Sequence, residues 1–252
     1  MGKCRVYVKS LSVVLASLLA WTAAGAEEPL AMLFRDKPPY SYVANGIMQG
    51  FLLERTREIL DRARVPVHFM EVPPKRIFQD IQGNASPVCS FGWYKIPERE
   101  AYAKFSKPIH QDRPHVVLAS ASVIEAVRKH KKLSDLMADA SLSISLADGV
   151  SYGPELDRMI AAFPGRIDRG VIPPLQVAKK ITARRADFMF IDQEDYDHLM
   201  SSSPEFRDEK LVRIEYPDLP AGLKRYILCS QKVSDEVMTR IDASIERQRI
   251  AK

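Results

Sequence analysis

Residues 27–94 spell strand, helix, strand, helix, strand, and that order restricts the chain to α/β layers built on mostly parallel sheets. LAMLFRD (30–36) is an apolar run closed by Pro38-Pro39. Tyr40, Tyr42 and the turn dipeptide Asn45-Gly46 follow. From Phe51 to Arg64, the residues Phe51, Leu52, Ile59, Leu60 and Ala63 fall near helical spacing, and Pro66 stops the helix. Val67 to Val72 alternates as a second strand. Pro73-Pro74 opens a helix over Lys75–Gln82, since proline suits a first turn, and Gly83-Asn84 ends it. VCSFGWY is the third strand.

A second unit repeats the alternation. HVVLAS (115–120), SISLAD (143–148), GRIDRGV and DFMFID (187–192) read as strands. Helices are expected at Ser122–His130, Leu133–Met137, Pro154–Ala162, Leu175–Ala183 and Glu194–Met200. LVRIEYPD then crosses back. RYILCSQ (225–231) is a strand, and Ser234 caps a closing helix to Arg247 with Val237 and Ile241 inward. No repeat of fixed period and no low-complexity tract interrupts this.

The first 26 residues read as a secretory leader. Lys3, Arg5 and Lys9 precede the apolar run Leu11 to Ala24, and Ala24-Gly25-Ala26 is a small-residue cleavage site. The run is short for a membrane span, and Cys4 lies before it, unlike a lipoprotein cysteine. Removing the leader takes Lys plus Arg from 37 to 34 against 32 acids, a net charge of about +2. The densest basic patch, Arg128-Lys129-His130-Lys131-Lys132, reads as a solvated helix end, so no nucleic-acid partner is expected.

Two cysteines remain, Cys89 and Cys229, each in an expected strand. An oxidising compartment allows a disulfide; two buried thiols are the other reading. Two cysteines do not make a four-ligand zinc site, and no metal or cofactor is expected.

Gly92 to Pro108 reads GWYKIPEREAYAKFSKP, with Arg99 in a turn after the third strand. This segment resembles the first-lobe ligand loop of solute-binding proteins of family 3, the two-lobed type II receptors that feed ABC importers of polar amino acids. The resemblance covers the mature chain. It implies lobe 1 from 27–113 and 216–252, lobe 2 from 114–215, and two crossover hinge strands. It also implies a periplasmic, monomeric protein that hands an amino-acid-like zwitterion or anion to a membrane permease.

In such proteins the arginine matching Arg99 clamps a ligand carboxylate, a task suited to its fixed fork of donors. Pairing with Glu98 or Glu100 at the surface is the plainer alternative. Ser151 in DGVSYG matches a serine that takes the carboxylate from the other lobe; a simple helix cap is the alternative. Asp192 matches the carboxylate that meets the ligand amine, or it caps the next helix. Lys37 stands where many relatives carry an aromatic, which favours an anionic ligand group. Tyr40 or Tyr42 would supply an aromatic face, or simply pack. Arg76, with Lys75, would hold an anion at a helix start or lie solvated. Trp93 and Tyr94 would wall the cleft. Ile96 replaces the usual threonine, which weakens a simple α-amino-acid reading. Two other functions stay open: a dehydratase or lyase on the same scaffold, and a ligand-sensing partner of a membrane kinase. No triad, metal cluster or phosphate loop supports the enzyme; His110, near the hinge, is its one residue to watch.

Overall fold

The computed structural model describes Gly2 and residues 28–170, 174–206 and 211–250. Apart from Gly2, the leader reading at 1–26 lies outside the described residues. The chain begins with β1 (Leu30–Phe34), a hairpin of β2 (Tyr42–Ala44) and β3 (Ile47–Gln49), and helix α1 (Phe51–Ala63). Then come β4 (Val67–Glu71), α2 (Pro74–Gly83), β5 (Val88–Tyr94), the one-turn α3 (Pro97–Glu100), β6 (Ala103–Phe105) and β7 (His110–Gln111). The second unit holds β8 (Val116–Ser120), α4 (Ile124–Arg128), α5 (Leu133–Leu136), β9 (Ser143–Ala147), α6 (Pro154–Ala161) and β10 (Arg166–Gly170). It continues through α7 (Pro174–Thr182), β11 (Phe188–Ile191), α8 (Gln193–Ser202) and β12 (Leu211–Ile214). Strand β13 (Lys224–Ser230) and helix α9 (Asp235–Ile250) close the chain.

These elements build two lobes. The first sheet has the order β4-β1-β5-β13-β6, with β7 also on β13; the second runs β10-β9-β11-β8-β12. Strand β13 therefore carries the C-terminal part back into the first sheet. The chain leaves that sheet between Gln111 and Val116 and returns between Ile214 and Lys224. LVRIEYPD, expected to be all crossing, first adds β12 as the edge of the second sheet, with Leu211 buried.

The sheets are mixed and not mostly parallel. β1 pairs in parallel with β4 and β5, and β9 with β10 and β11. β13 is antiparallel to β5, β6 and β7, and β8 is antiparallel to β11 and β12. The reason is the crossings. β8 and β13 are the first strands after a passage between lobes, so each enters its sheet from the cleft side, where the parallel strands end.

Each lobe buries its own apolar core. Met32, Phe34, Leu53, Ile59, Leu60, Ile227 and Ile241 are almost fully buried in the first, and Val117, Ile144, Leu146, Phe188 and Phe190 in the second. Each such side chain contributes about 1.5–3 kcal/mol by leaving water. Helix α9 packs along α1, where Ser244 Oγ donates to the Ile59 carbonyl at 2.8 Å. Cys89 and Cys229 face each other across β5 and β13 and form a disulfide, with sulfurs 1.98 Å apart.

Two glycines permit close backbone approaches that place the site. Gly50 has φ 129°, and a Cβ there would lie 2.4 Å from the Tyr40 carbonyl oxygen. That oxygen accepts from the backbone N–H groups of Leu52 and Leu53, each at 3.1 Å, and so caps α1 while anchoring the Lys37–Tyr40 turn. At the hinge, a Cβ on Gly222 would lie 1.7 Å from the Asp112 carbonyl oxygen. Here the two crossings touch: Asp112 N–H donates to the Leu223 carbonyl at 2.9 Å.

Candidate functional site

A cavity of about 400 Å³ lies between the lobes. Parallel strands deliver their ends to it: β1 gives Arg35 to Lys37, β5 gives Trp93 and Tyr94, β9 gives Asp148 to Tyr152, and β11 gives Asp192. Ligand crevices in α/β sheets form at such carboxyl ends.

Trp93 is the fixed surface of the first-lobe wall. It is buried, and its Nε1 donates to Ser90 Oγ at 2.8 Å. The Arg35 guanidinium lies 4.3 Å from the indole centroid and that of Arg99 5.3 Å. Arg99 also lies 4.9 Å from the Phe78 ring and donates to the Tyr94 carbonyl at 2.9 Å. Among the described residues, neither guanidinium has a carboxylate within 4.0 Å, so Arg99 does not pair with Glu98 or Glu100. Burial lowers the pKa of both, that of Arg35 to about 10 with help from the Arg225 charge. Both remain cationic near neutral pH.

Arg225, at the start of β13, is the hub between the lobes and is only 3% exposed. Its Nε donates to Asp112 Oδ1 at 2.7 Å and its Nη1 to the Gly92 carbonyl at 3.0 Å. Its Nη2 donates to Tyr94 Oη at 3.1 Å and reaches Asp192 Oδ2 at 3.4 Å. Tyr94 Oη in turn donates to Asp112 Oδ2 at 2.6 Å. The Tyr40 ring stacks 4.2 Å from the guanidinium carbon. Burial opposes the Arg225 charge, and the surrounding tyrosines and carboxylates outweigh that opposition and hold its proton.

Lys37 crosses the same gap. Its Nζ donates to Asp195 Oδ2 at 2.6 Å and lies 3.8 Å from Asp192 Oδ2. Both carboxylates are buried. Asp192 Oδ1 accepts the Asp195 backbone N–H at 2.9 Å, so Asp192 caps α8 while facing the cleft. Burial raises a carboxylate pKa, but Lys37, Arg225 and His115 carry Asp192 down to about 2. Burial and the neighbouring Asp192 raise that of Asp195, against the pull of Lys37. His115 is buried on the cavity wall, and burial lowers its pKa.

The structure brings Arg99, Asp192, Ser151, Lys37, Trp93 and Tyr94 to the cavity. The Ser151 hydroxyl is engaged locally: it donates to Asp157 Oδ2 at 2.6 Å and accepts from Gly153 N–H at 3.1 Å. Gly153, not Ser151, is the N-cap of α6. Three expected residues stand elsewhere. Tyr40 lies beneath Lys37 and Arg225, off the cavity lining, because its backbone is tied to the start of α1. Tyr42 sits on the β2–β3 hairpin, 6.4 Å from the His198 ring. Arg76 is exposed and pairs with Asp80 one helical turn on, at 2.7 Å. His110 is on β7 against Phe51 and Arg55, also off the cavity.

Arg35, Asp112, His115, Asp195 and Arg225 were not singled out from sequence. Arg35 had a signal, since Arg35-Asp36-Lys37 interrupts an apolar strand just before Pro38-Pro39. Arg225 had none, being one basic residue at the head of an apolar strand. Among the described residues, no group of three or more His, Cys, Asp or Glu side chains is placed to hold a metal, and no helix is long and apolar enough to cross a membrane.

The chain from residue 31 to 249 matches the family model for bacterial extracellular solute-binding proteins, family 3. No curated protein sequence matches it significantly. Among solved structures, it resembles the arginine-, lysine-, histidine-binding protein ArtJ from Geobacillus stearothermophilus, with 16% identity, TM-score 0.68, and 89% of this chain and 90% of that chain covered. A structure from the work on glutathione import via GshT and the cystine importer TcyBC of Streptococcus mutans gives 13% identity, TM-score 0.70, and 90% and 91% coverage. The arginine-binding protein of T. maritima in its holo form gives 17% identity, TM-score 0.64, and 88% and 90% coverage. At these identities the likeness establishes the fold.

Proposed function

The chain belongs to the bacterial extracellular solute-binding proteins of family 3, and we propose that it captures a small anionic or zwitterionic, amino-acid-like solute in the cleft between its lobes. One observation carries this reading: Arg35 and Arg99 both lie over Trp93 on the cavity wall, with no carboxylate partner among the described residues. Two guanidiniums held against an indole match a carboxylate through paired donors, and the stacking limits the freedom lost on binding. Relatives of the same fold bind arginine, lysine or histidine, or are tied to glutathione import, and all of those solutes carry a carboxylate. Arg225–Asp192 and Lys37–Asp195 are contacts between the lobes that opening of the hinge would break.

In this reading the leader exports the protein to the periplasm. It works there as a monomer, binds without turnover, and presents its closed form to the permease of an ABC importer. The family's binding role supports the non-catalytic part. The test is calorimetric titration of the mature protein against amino acids, dicarboxylates and aromatic acids, repeated on Arg99→Ala. Expected is a solute whose affinity falls at least tenfold in the variant. A solute held equally well by both proteins would remove Arg99 from the site, and sustained conversion of a bound solute would replace the reading with catalysis.

A further inference from the structure

We infer that the solute carries a carboxylate and no neighbouring ammonium, because Lys37 occupies the place where an ammonium would bind. This rests on the cleft reading above and narrows its solute class. The Lys37 ammonium meets Asp195 Oδ2 at 2.6 Å, Asp192 Oδ2 at 3.8 Å and the Tyr40 ring at 4.5 Å. Two carboxylates and an aromatic face are the set of partners an ammonium seeks. Here the protein supplies that cation itself.

Three of the four oxygens of the acidic pair already face partners within the protein. Asp192 Oδ1 is taken by the Asp195 N–H, and Oδ2 faces both Lys37 and Arg225. Asp195 Oδ1 is buried out of contact with solvent and accepts no hydrogen bond. The other acids on the cavity, Asp36 and Asp148, are exposed. A second ammonium at this pair would therefore meet Lys37 as a like charge, or would have to displace it. An anion meets the opposite situation: among the described residues Arg35 and Arg99 lack carboxylate partners, and Lys37 has three N–H donors with one committed to Asp195. An organic acid thus meets two guanidiniums at Trp93 and the spare donors of Lys37 on the cavity lining, with no ammonium to place.

Matched pairs test this: glutarate against glutamate, 3-phenylpropanoate against phenylalanine, and 4-methylpentanoate against leucine. Calorimetry is run on the mature wild type and on Lys37→Met, with Lys37→Gln as a second variant. Expected is that at least one acid binds at least tenfold more tightly than its α-amino counterpart in the wild type. In Lys37→Met or Lys37→Gln that ratio should shrink at least tenfold, as the vacated acids accept the ligand ammonium. An amino acid that binds as tightly as, or more tightly than, its acid in the wild type would overturn the inference and leave solute capture standing. So would a wild-type preference that neither variant changes. If no member of any pair binds, the carboxylate reading of the cleft falls, and this inference falls with it. Should both variants fail to fold, the wild-type ratios alone decide.

Discussion

Arg225 Nε lies 2.7 Å from Asp112 Oδ1, with both side chains buried where the two crossings between the lobes meet. The pair joins the outgoing crossing to the first residues of the returning strand. A buried ion pair is weak grounds for stability as a whole, but removing one partner leaves an uncompensated charge. Asp112→Ala is expected to lower the unfolding free energy by about 3–5 kcal/mol in urea melts. The double variant Asp112→Leu/Arg225→Met should recover part of that loss. A loss under 1 kcal/mol in Asp112→Ala would mean the pair is not sealed from water as described.

Gly222 faces the Asp112 carbonyl so closely that a methyl group cannot fit, with 1.7 Å between that oxygen and the Cβ position. The obstacle is backbone, which cannot rotate aside. Gly222→Ala should therefore push the crossings apart, costing about 1–3 kcal/mol and weakening solute binding together. Unchanged stability and affinity would show that the crossings do not press on each other in solution.

Cys89 and Cys229 close a loop of sequence separation 140 and are both fully buried. Reductant should not reach them until the lobe opens, so native protein should resist dithiothreitol and release two thiols only in urea. The variant Cys89→Ala/Cys229→Ala should lose about 2–4 kcal/mol. Rapid reduction of the native protein would contradict this.

Asp195 gives a pH dependence with a definite sign. Burial lifts its pKa from 3.8 to about 6, with Asp192 adding to the rise and Lys37 opposing it. The folded state thus holds this proton more tightly than the unfolded chain, and the associated stability is full below about pH 4. It is lost as the pH rises toward 6. The stability of the wild type minus that of Asp195→Asn should fall across that window by on the order of 1–3 kcal/mol and stay level above it. His115, whose pKa is lowered by burial, makes the opposite contribution, with stability lost on acidification below about 6.5. That contribution is common to both proteins and cancels. A difference curve that rises from pH 4 to 6 would reject the assignment.

Arg35 was missed from sequence and should matter as much as Arg99. Arg35→Ala is expected to weaken a bound carboxylate at least tenfold, about 1.4 kcal/mol or more. Arg35→Lys should restore only part of this, because an ammonium stacks on Trp93 less well and lacks the paired donors. Full restoration by lysine would reduce Arg35 to a point charge.

The alternation of strand and helix, the proline and glycine stops, and the Pro-Glu-Arg turn were legible locally. Each depends on neighbours within about ten residues, which is where periodicity and turn chemistry act. Arg99, Trp93, Tyr94, Ser151, Asp192 and Lys37 were named because the segments that hold them resemble those of a known family. Strands β6 and β7 were not read, since two or three residues carry no period. Arg225 and Asp112 are 113 residues apart, and nothing near either one marks it as a partner of the other.

The sequence by itself determined the α/β alternation, because burial pattern and backbone restriction are local properties, and its resemblance to a known family named the side chains for a cleft. Only the tertiary structure decided which of those side chains are still free. Lys37 and Asp195 meet across 158 positions of chain, and that contact closes an ion pair within the protein. Charge satisfaction depends on distances of a few ångströms between lobes, and the chain's return through β13 sets those distances.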